Sequence, residues 1–208
     1  MLRNTAIVTL CAIASIGTAQ AVQVSVGGCA GPTAAYGVTT CVAGAAVVDF
    51  NGGSAPANFS GTGGVYAGTT GTWASPAGDS SDYLAVATTQ PAGTEDIKLG
   101  SMQNYFGLLW GSVDNYNEVD AYLNGTLIGT VKGADVLGAN TGFGDQHAVG
   151  SNEYVNMLFA GGYDEIKLVT TNYNFEVDNL AFANVPEPAS FGLLGLGMAA
   201  LLVRRRRA

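Results

Sequence analysis

The sequence is poor in charge and poorest in positive charge. Only 12 % of its 208 residues are charged, 8 basic against 16 acidic. Five of the basic residues lie near the ends: Arg3, Arg204, Arg205, Arg206 and Arg207. Between positions 22 and 185 there is no arginine, and fifteen acidic residues face three lysines, Lys98, Lys132 and Lys167, for a net charge of −12. Such a segment cannot grip a phosphate backbone, where Lys and Arg supply most of the binding, so nucleic acid is excluded as a partner. Histidine is nearly absent, His147 being the single one. A Ser-His-Asp hydrolase needs an oriented base beside its nucleophile, and no G-x-S-x-G elbow accompanies His147. No H-E-x-x-H pattern is present, and a zinc centre built on one histidine would be unusual. Long apolar runs are missing except at the two ends. Charge and helical spacing are also too sparse for a helix bundle or coiled coil.

What is present favours strands. Hydrophobic residues make up 48 % of the chain, enough to bury a core, and 30 glycines punctuate short runs rich in Val, Thr, Tyr and Phe. The expected strands run over Ala45–Phe50, around Val65-Tyr66 and Trp73, and over Tyr83–Thr88, Asp96–Ser101 and Tyr105–Ser112. They continue with Glu118–Leu123, Thr126–Lys132, Glu153–Ala160, Asp164–Thr171 and Asn174–Ala183. Asn124-Gly125 between two alternating runs is a strong hairpin signal, because both turn positions need positive φ. No convincing helix occurs between the ends. The expected fold is all-β, an antiparallel β-sandwich of jelly-roll-like form over residues 45–184. Glu95-Asp96-Ile97-Lys98-Leu99 and Asp164-Glu165-Ile166-Lys167-Leu168 look alike, as a duplicated motif or as two strands obeying one pattern.

The ends carry addresses. Arg3, the apolar run Ala6–Gly17 and Ala19-Gln20-Ala21 follow the order of a secretory signal, giving a signal peptide over residues 1–21. Cys11 leaves with it. Cys29 and Cys41 remain as an even pair in an exported chain, which reads as one disulfide stapling an entry segment over residues 22–44. A short loop closed in this way gains about 3 kcal/mol in the chain-entropy account. At the other end, residues 185–208 hold Pro186-Glu187-Pro188, an apolar run over Ala189–Val203 and the arginine cluster. Fifteen apolar residues fall short of a comfortable span, but snorkelling arginines and local thinning cover the difference. Four arginines keep that end cytoplasmic and leave the upstream chain outside. Gly195-Leu196-Gly197-Met198-Ala199-Ala200 fits a relaxed dinucleotide fingerprint without the βαβ unit that would give it meaning.

The order Pro186-Glu187-Pro188, apolar helix and Arg204 to Arg207 resembles the PEP-CTERM sorting signal. That resemblance implies recognition by an exosortase, a membrane-embedded cysteine protease-transpeptidase, with transient anchoring at the inner membrane. Removal of the tail near the motif and delivery to the cell surface or extracellular matrix are then expected. Phe106-Gly107-Leu108-Leu109-Trp110-Gly111-Ser112-Val113-Asp114-Asn115-Tyr116-Asn117 is similar to a core motif of a subgroup of exosortase-dependent surface proteins. Glu153-Tyr154-Val155-Asn156 and Phe175-Glu176-Val177-Asp178-Asn179-Leu180 fit the same subgroup, which brings no known reaction.

Three kinds of site are expected on the exported body. Calcium is abundant outside the cell and takes six to eight oxygens, which Asp114, Asn115, Asn117 and Glu118 offer as a loop site and Asp49 with Asp178 as a structural one. Exopolysaccharide binding is suggested by Trp73, Tyr116 and Tyr122 as stacking faces. The alternative is a glycosidase using Glu118 and Asp120, since such enzymes need two carboxyl groups at a set spacing. Glu118-Val119-Asp120 resembles the start of the E-x-D-x-x-E motif of a jelly-roll glucanase family, but Leu123 stands where the third carboxylate belongs. The leading expectation is a non-catalytic structural or adhesive protein of the cell surface or matrix.

Overall fold

The computed structural model describes residues 22–87, 91–138, 144–148 and 150–186. The expected signal peptide, the apolar run and the arginine cluster lie outside them. So do Glu187 and Pro188. Among the described residues no helix is long and apolar enough to cross a membrane.

The elements in chain order are β1 (Gln23–Val26), β2 (Cys29–Ala30), β3 (Val38–Thr39), β4 (Ala46–Val48), β5 (Phe59–Gly61), β6 (Gly64–Ala67) and β7 (Asp82–Val86). They continue with β8 (Gly93–Trp110), β9 (Asn117–Leu123), β10 (Thr126–Lys132), α1 (Gly133–Leu137), β11 (Glu153–Thr170) and β12 (Phe175–Ala183). Ten strands form one antiparallel sheet along the path β10-β9-β11-β8-β12-β7-β6. β1 is added on β11, β4 on β12 and β5 on β8, while β2 and β3 make a small separate sheet. This is the sandwich-like, all-β architecture expected from the sequence.

The two layers share strands. β8 and β11 are 18 residues each and pair with one another in two blocks of one shared register, interrupted between them. Glu153–Leu158 faces Tyr105–Trp110, and Glu165–Thr170 faces Gly93–Lys98. The sequence reads each of these strands as two, and the join between the halves is a bulged corner. Gly161 and Gly162, at φ 85° and 82°, supply the left-handed backbone that turns β11 there. The corner also exchanges the inward-facing residues. Val155, Met157 and Phe159 point into the core before it, Ile166 and Leu168 after it. In β8, Ile97 is followed by Phe106, Leu108 and Trp110, the same change of parity. Because strand side chains alternate, a bulge is what lets one strand serve both faces of a core. β12 does this at Asn179 (φ 51°), with Phe175 and Val177 inward before it and Leu180 and Phe182 after.

The two look-alike stretches are cross-strand partners. Ile166 sits opposite Ile97, Lys167 opposite Asp96 and Glu165 opposite Lys98. Running antiparallel, the shared pattern places opposite charges in register, and Lys167 reaches Asp96 at 3.1 Å. The Asn124-Gly125 hairpin forms as expected, with φ 51° and 75°. The connection after β10 differs from expectation by holding α1, five residues closed by Gly138.

The Cys29–Cys41 disulfide is formed, with Cα atoms 5.1 Å apart. The entry segment it staples is bound into the body. β1 lies along β11, and the Asn179 side-chain amide donates to the carbonyls of Tyr36 and Val38 at 2.7 and 3.1 Å. At the far end, Asn104 grips the chain reciprocally. Its amide donates to the Val185 carbonyl and its oxygen accepts the Val185 N–H, both at 2.7 Å. The ordered body therefore reaches the residue that precedes the sorting motif.

Candidate functional site

The chemistry of the body gathers on the outer face of β12. Its inward residues Phe175 and Val177 belong to the core, so Glu176 and Asp178 face the other way. Alternation alone would leave both in water. They are instead 5 % and 0 % exposed, because the glycine-rich coil after β6 folds over them. The Ala74 N–H donates to Glu176 Oε1 at 3.1 Å, and Ser81 Oγ donates within reach of Asp178 Oδ2 at 3.1 Å. Two residues apart on one strand face, the carboxyl groups stand about 7 Å from one another by strand rise.

Glu176 opens into a polar cavity of about 220 Å³ lined also by Ser112, Asp114, Tyr116, Gln146, Tyr173 and Asn174. Asp114 is carried there by the turn after β8. Ser112 adopts φ 40°, its N–H is taken by the Asn152 side chain, and Val113 donates to the Ser151 carbonyl at 2.6 Å. Tyr116 lines the cavity beside Asp114, and the Tyr116 and Tyr173 rings meet edge to face at 6.1 Å. Tyr173 is 70 % exposed and forms the rim. Burial pushes the Glu176 carboxyl up to about 7 against the opposing pull of the Ala74 N–H, and it raises Asp114 as well. With no arginine or lysine lining it, the cavity holds two acids whose pKa is raised by burial, a pair of tyrosines and two amides. That set can bind polyhydroxy ligands by hydrogen bonds and stacking, or move a proton.

The second cluster is built on Asp178. Its carboxyl is pushed up to about 9, first by burial and then by Asp79. Ser81 Oγ lies 2.5 Å from Asp79 Oδ1 and links the two acids. Asp178 Oδ1 accepts the Asn179 N–H at 2.7 Å.

The sequence-expected residues are distributed unevenly. Asp114 and Tyr116 meet in the cavity. Asn117 lies beside it, donating to the Asn174 carbonyl at 3.4 Å with its own side-chain oxygen buried and unpartnered. Asn115 is exposed. Glu118 is not with them: it lies on β9 and pairs with Lys132 at 3.4 Å. Asp120 accepts from Thr130 Oγ1 at 2.5 Å, and Lys167 is its cross-strand neighbour. Glu118 and Asp120 are thus held in a charge ladder on the sheet and line none of the cavities described. Asp49 accepts the Asn51 N–H, and the acid linked to Asp178, through the Ser81 hydroxyl, is Asp79. Trp73 is stacked on Tyr66 with centroids 3.9 Å apart, and Tyr122 carries Lys167 Nζ at 5.6 Å from its ring. Sequence reasoning missed Glu176, Asp79, Tyr173 and Asn174. Glu176 and Asp178 were legible as outward-facing acids, but nothing in strand periodicity announces a coil that covers them. Among the described residues no group of three or more His, Cys, Asp or Glu side chains converges as a metal cluster.

Comparison with known families gives one match: residues 184–207 fit the PEP-CTERM protein-sorting motif. The chain therefore carries that motif, which marks an exported, exosortase-dependent protein. No curated protein matches the chain in sequence. Among solved structures it is similar to the catalytic unit of a thermostable GH87 alpha-1,3-glucanase from Streptomyces thermodiastaticus strain HF3-3, at 17 % identity and TM-score 0.34. The likeness covers 62 % of this chain and 26 % of that one, and at this score it carries no functional argument.

Proposed function

We propose that the protein is a non-catalytic component of the cell surface or extracellular matrix. In this reading an exosortase processes its tail, and the body contacts exopolysaccharide through the cavity of Asp114, Tyr116, Tyr173, Asn174 and Glu176. The observation that carries the reading is the joining of an exposed tyrosine rim to convergent amide and carboxyl groups in one open recess. Sugar rings stack on such faces, and their hydroxyls suit mixed donors and acceptors. The net charge of −12 between residues 22 and 185 favours neutral glycans over acidic ones.

One observation favours a second reading, a carbohydrate-active enzyme. Two carboxyl groups with raised pKa, Asp114 and Glu176, share the cavity, as an acid and its partner would. The same experiment separates the readings. The full chain, purified in mild detergent, is applied to a glycan array and incubated with the glycans it retains. Retention without cleavage, weakened about tenfold by Tyr173→Ala, supports the binding reading; tenfold corresponds to roughly 1.4 kcal/mol. Release of shortened glycans that stops in Glu176→Gln supports the enzyme. Retention unaffected by Tyr173→Ala counts against this cavity as the contact.

A further inference from the structure

The corner where β8 and β11 bend is also where both ends of the chain leave the body. Gln103 pairs with Tyr163 there, Asn104 holds both backbone groups of Val185, and Gln23 of β1 lies opposite Leu158. One cavity of about 380 Å³ has Gln23 on one wall and Val185 on another. The segments that lead to the two apolar end runs, Ala6–Gly17 and Ala189–Val203, therefore depart from one pole. That pole is uncharged in a body of net charge −12: residues 22–26, 99–113, 154–163 and 179–186 hold no acidic or basic side chain. Asp164, the first charge beyond the corner in β11, is turned onto the Asn124 N–H, which its carboxylate accepts at 3.0 and 3.1 Å. Met102 lies over Gly162 at the corner and is still 52 % exposed.

We propose that this uncharged corner rests on lipid headgroups while the tail is anchored, so that the body stands on the membrane by the bend of β8 and β11. The inference rests on residues 189–203 as the membrane run and is independent of polysaccharide binding. Only Pro186, Glu187 and Pro188 separate Val185 from that run. The chain from Val185 to Ala189 spans at most about 14 Å when fully extended. A headgroup layer is roughly 5–7 Å deep on each side of the hydrocarbon. With Ala189 at the hydrocarbon edge, Val185 is held within or just above the headgroups, and the surface around Val185 is what meets them. An acidic surface in that position would be repelled by anionic lipid. An uncharged one with an exposed methionine is not. Glu176 and Ala183 stand near opposite ends of β12, roughly 20–23 Å apart by strand rise. The cavity at Glu176 is therefore carried away from the anchored pole.

The test is the labelling rate of an introduced thiol. The full chain is placed in vesicles of phosphatidylethanolamine and phosphatidylglycerol and treated with a membrane-impermeant maleimide, the modified residue being identified by peptide mass. The reference is the processed body recovered outside an exosortase-bearing host. Met102→Cys should react about tenfold more slowly in the vesicles than in the reference, because access and thiolate formation both fall at the headgroup layer. Tyr173→Cys, at the rim of the distant cavity, should react equally in both. Ser101→Cys, a near-isosteric change at the neighbouring exposed position, should follow Met102→Cys and replaces it if that variant does not fold. A chain that floats with the vesicles while both corner thiols react as fast as in the reference overturns the proposal and leaves the membrane run standing. Equal slowing of Tyr173→Cys overturns it too, since a body shielded all round has no preferred face. A chain that does not float with the vesicles overturns the membrane reading of the tail and the proposal with it.

Discussion

In chelator, the melting temperature of this protein should fall by about 10 °C between pH 5 and pH 9. The cause is the pair of acids on the outer face of β12. In the unfolded chain their carboxyls titrate near pH 4. In the folded chain Glu176 is pushed up to about 7 and Asp178 to about 9. Between pH 4 and those values the folded state binds more protons than the unfolded one. Stability is therefore fully present below pH 4 and is lost as pH rises through 7 and then 9. Asp114, raised by burial, acts in the same direction. The groups facing Asp178 are Asp79 and Ser81 from the coil before β7 and Tyr154 from β11, none of them cationic. General repulsion among the net negative charges of the body also grows with pH, so the wild-type profile alone does not isolate the pair. The double variant Glu176→Gln, Asp178→Asn does, and its profile should be clearly flatter. A melting temperature that is level or rises toward pH 9, or a double variant as steep as the wild type, would contradict this assignment.

Gly133→Ala should cost about 3 kcal/mol and displace the cavity wall that carries Asp114, together with the loss of much of the stability. Gly133 opens α1 and is buried against the turn that carries Asp114. A Cβ there would stand 2.0 Å from the Asp114 carbonyl oxygen and 3.2 Å from Val113 Cγ1. The oxygen is backbone, so no rotamer change relieves the overlap. The turn itself must move, and with it the Asp114 carboxylate. A milder case is Gly144, whose φ of 74° disfavours any side chain and whose Cβ would meet Asp114 Oδ1 at 2.8 Å. Gly100 in β8 is the control: nothing lies within 4 Å of its added Cβ, and Gly100→Ala should stay within about 0.5 kcal/mol of wild type. Denaturant unfolding of the three variants checks the order. A Gly133→Ala protein as stable as Gly100→Ala would mean that the helix and turn are not in contact as described.

Much of the fold was legible because strand periodicity and turn chemistry are local. β9 and β10 are visible in the alternation of Glu118–Leu123 and in Asn124-Gly125, and the observed register follows. The continuity of β8 and β11 was not visible. Met102 and the Gly161-Gly162 pair look like ends of strands, whereas they are the corner over which two strands bend from one layer to the other. The site was legible in halves. Asp114 stood out as an oxygen donor in an acidic, amide-rich loop and Tyr116 as an aromatic face beside it. Asp178 stood out as an acid near the last strand, but Glu176 did not, because its burial depends on a distant glycine-rich coil, 102 residues away along the chain at the Ala74 contact. Glu118 and Asp120 stood out for a motif-like spacing, yet their charges are matched by Lys132 and Lys167 across the sheet. Spacing along one strand brought those two acids to one face but said nothing about what stood opposite.

The sorting motif and the body meet at a defined point. Asn104 holds both backbone groups of Val185, so the folded part continues to the edge of the match at residues 184–207. The central claim, an exported body separated from a sorting tail at this junction, is tested most directly by the intact mass of the protein recovered from outside the cell of an exosortase-bearing host. The account predicts a single species well below 21.1 kDa, lacking the segment through Ala21 and the chain beyond the Pro186-Glu187-Pro188 region, and lighter by the two hydrogens of one disulfide. An external species retaining Arg204 to Arg207, or the full 21.1 kDa, would contradict it.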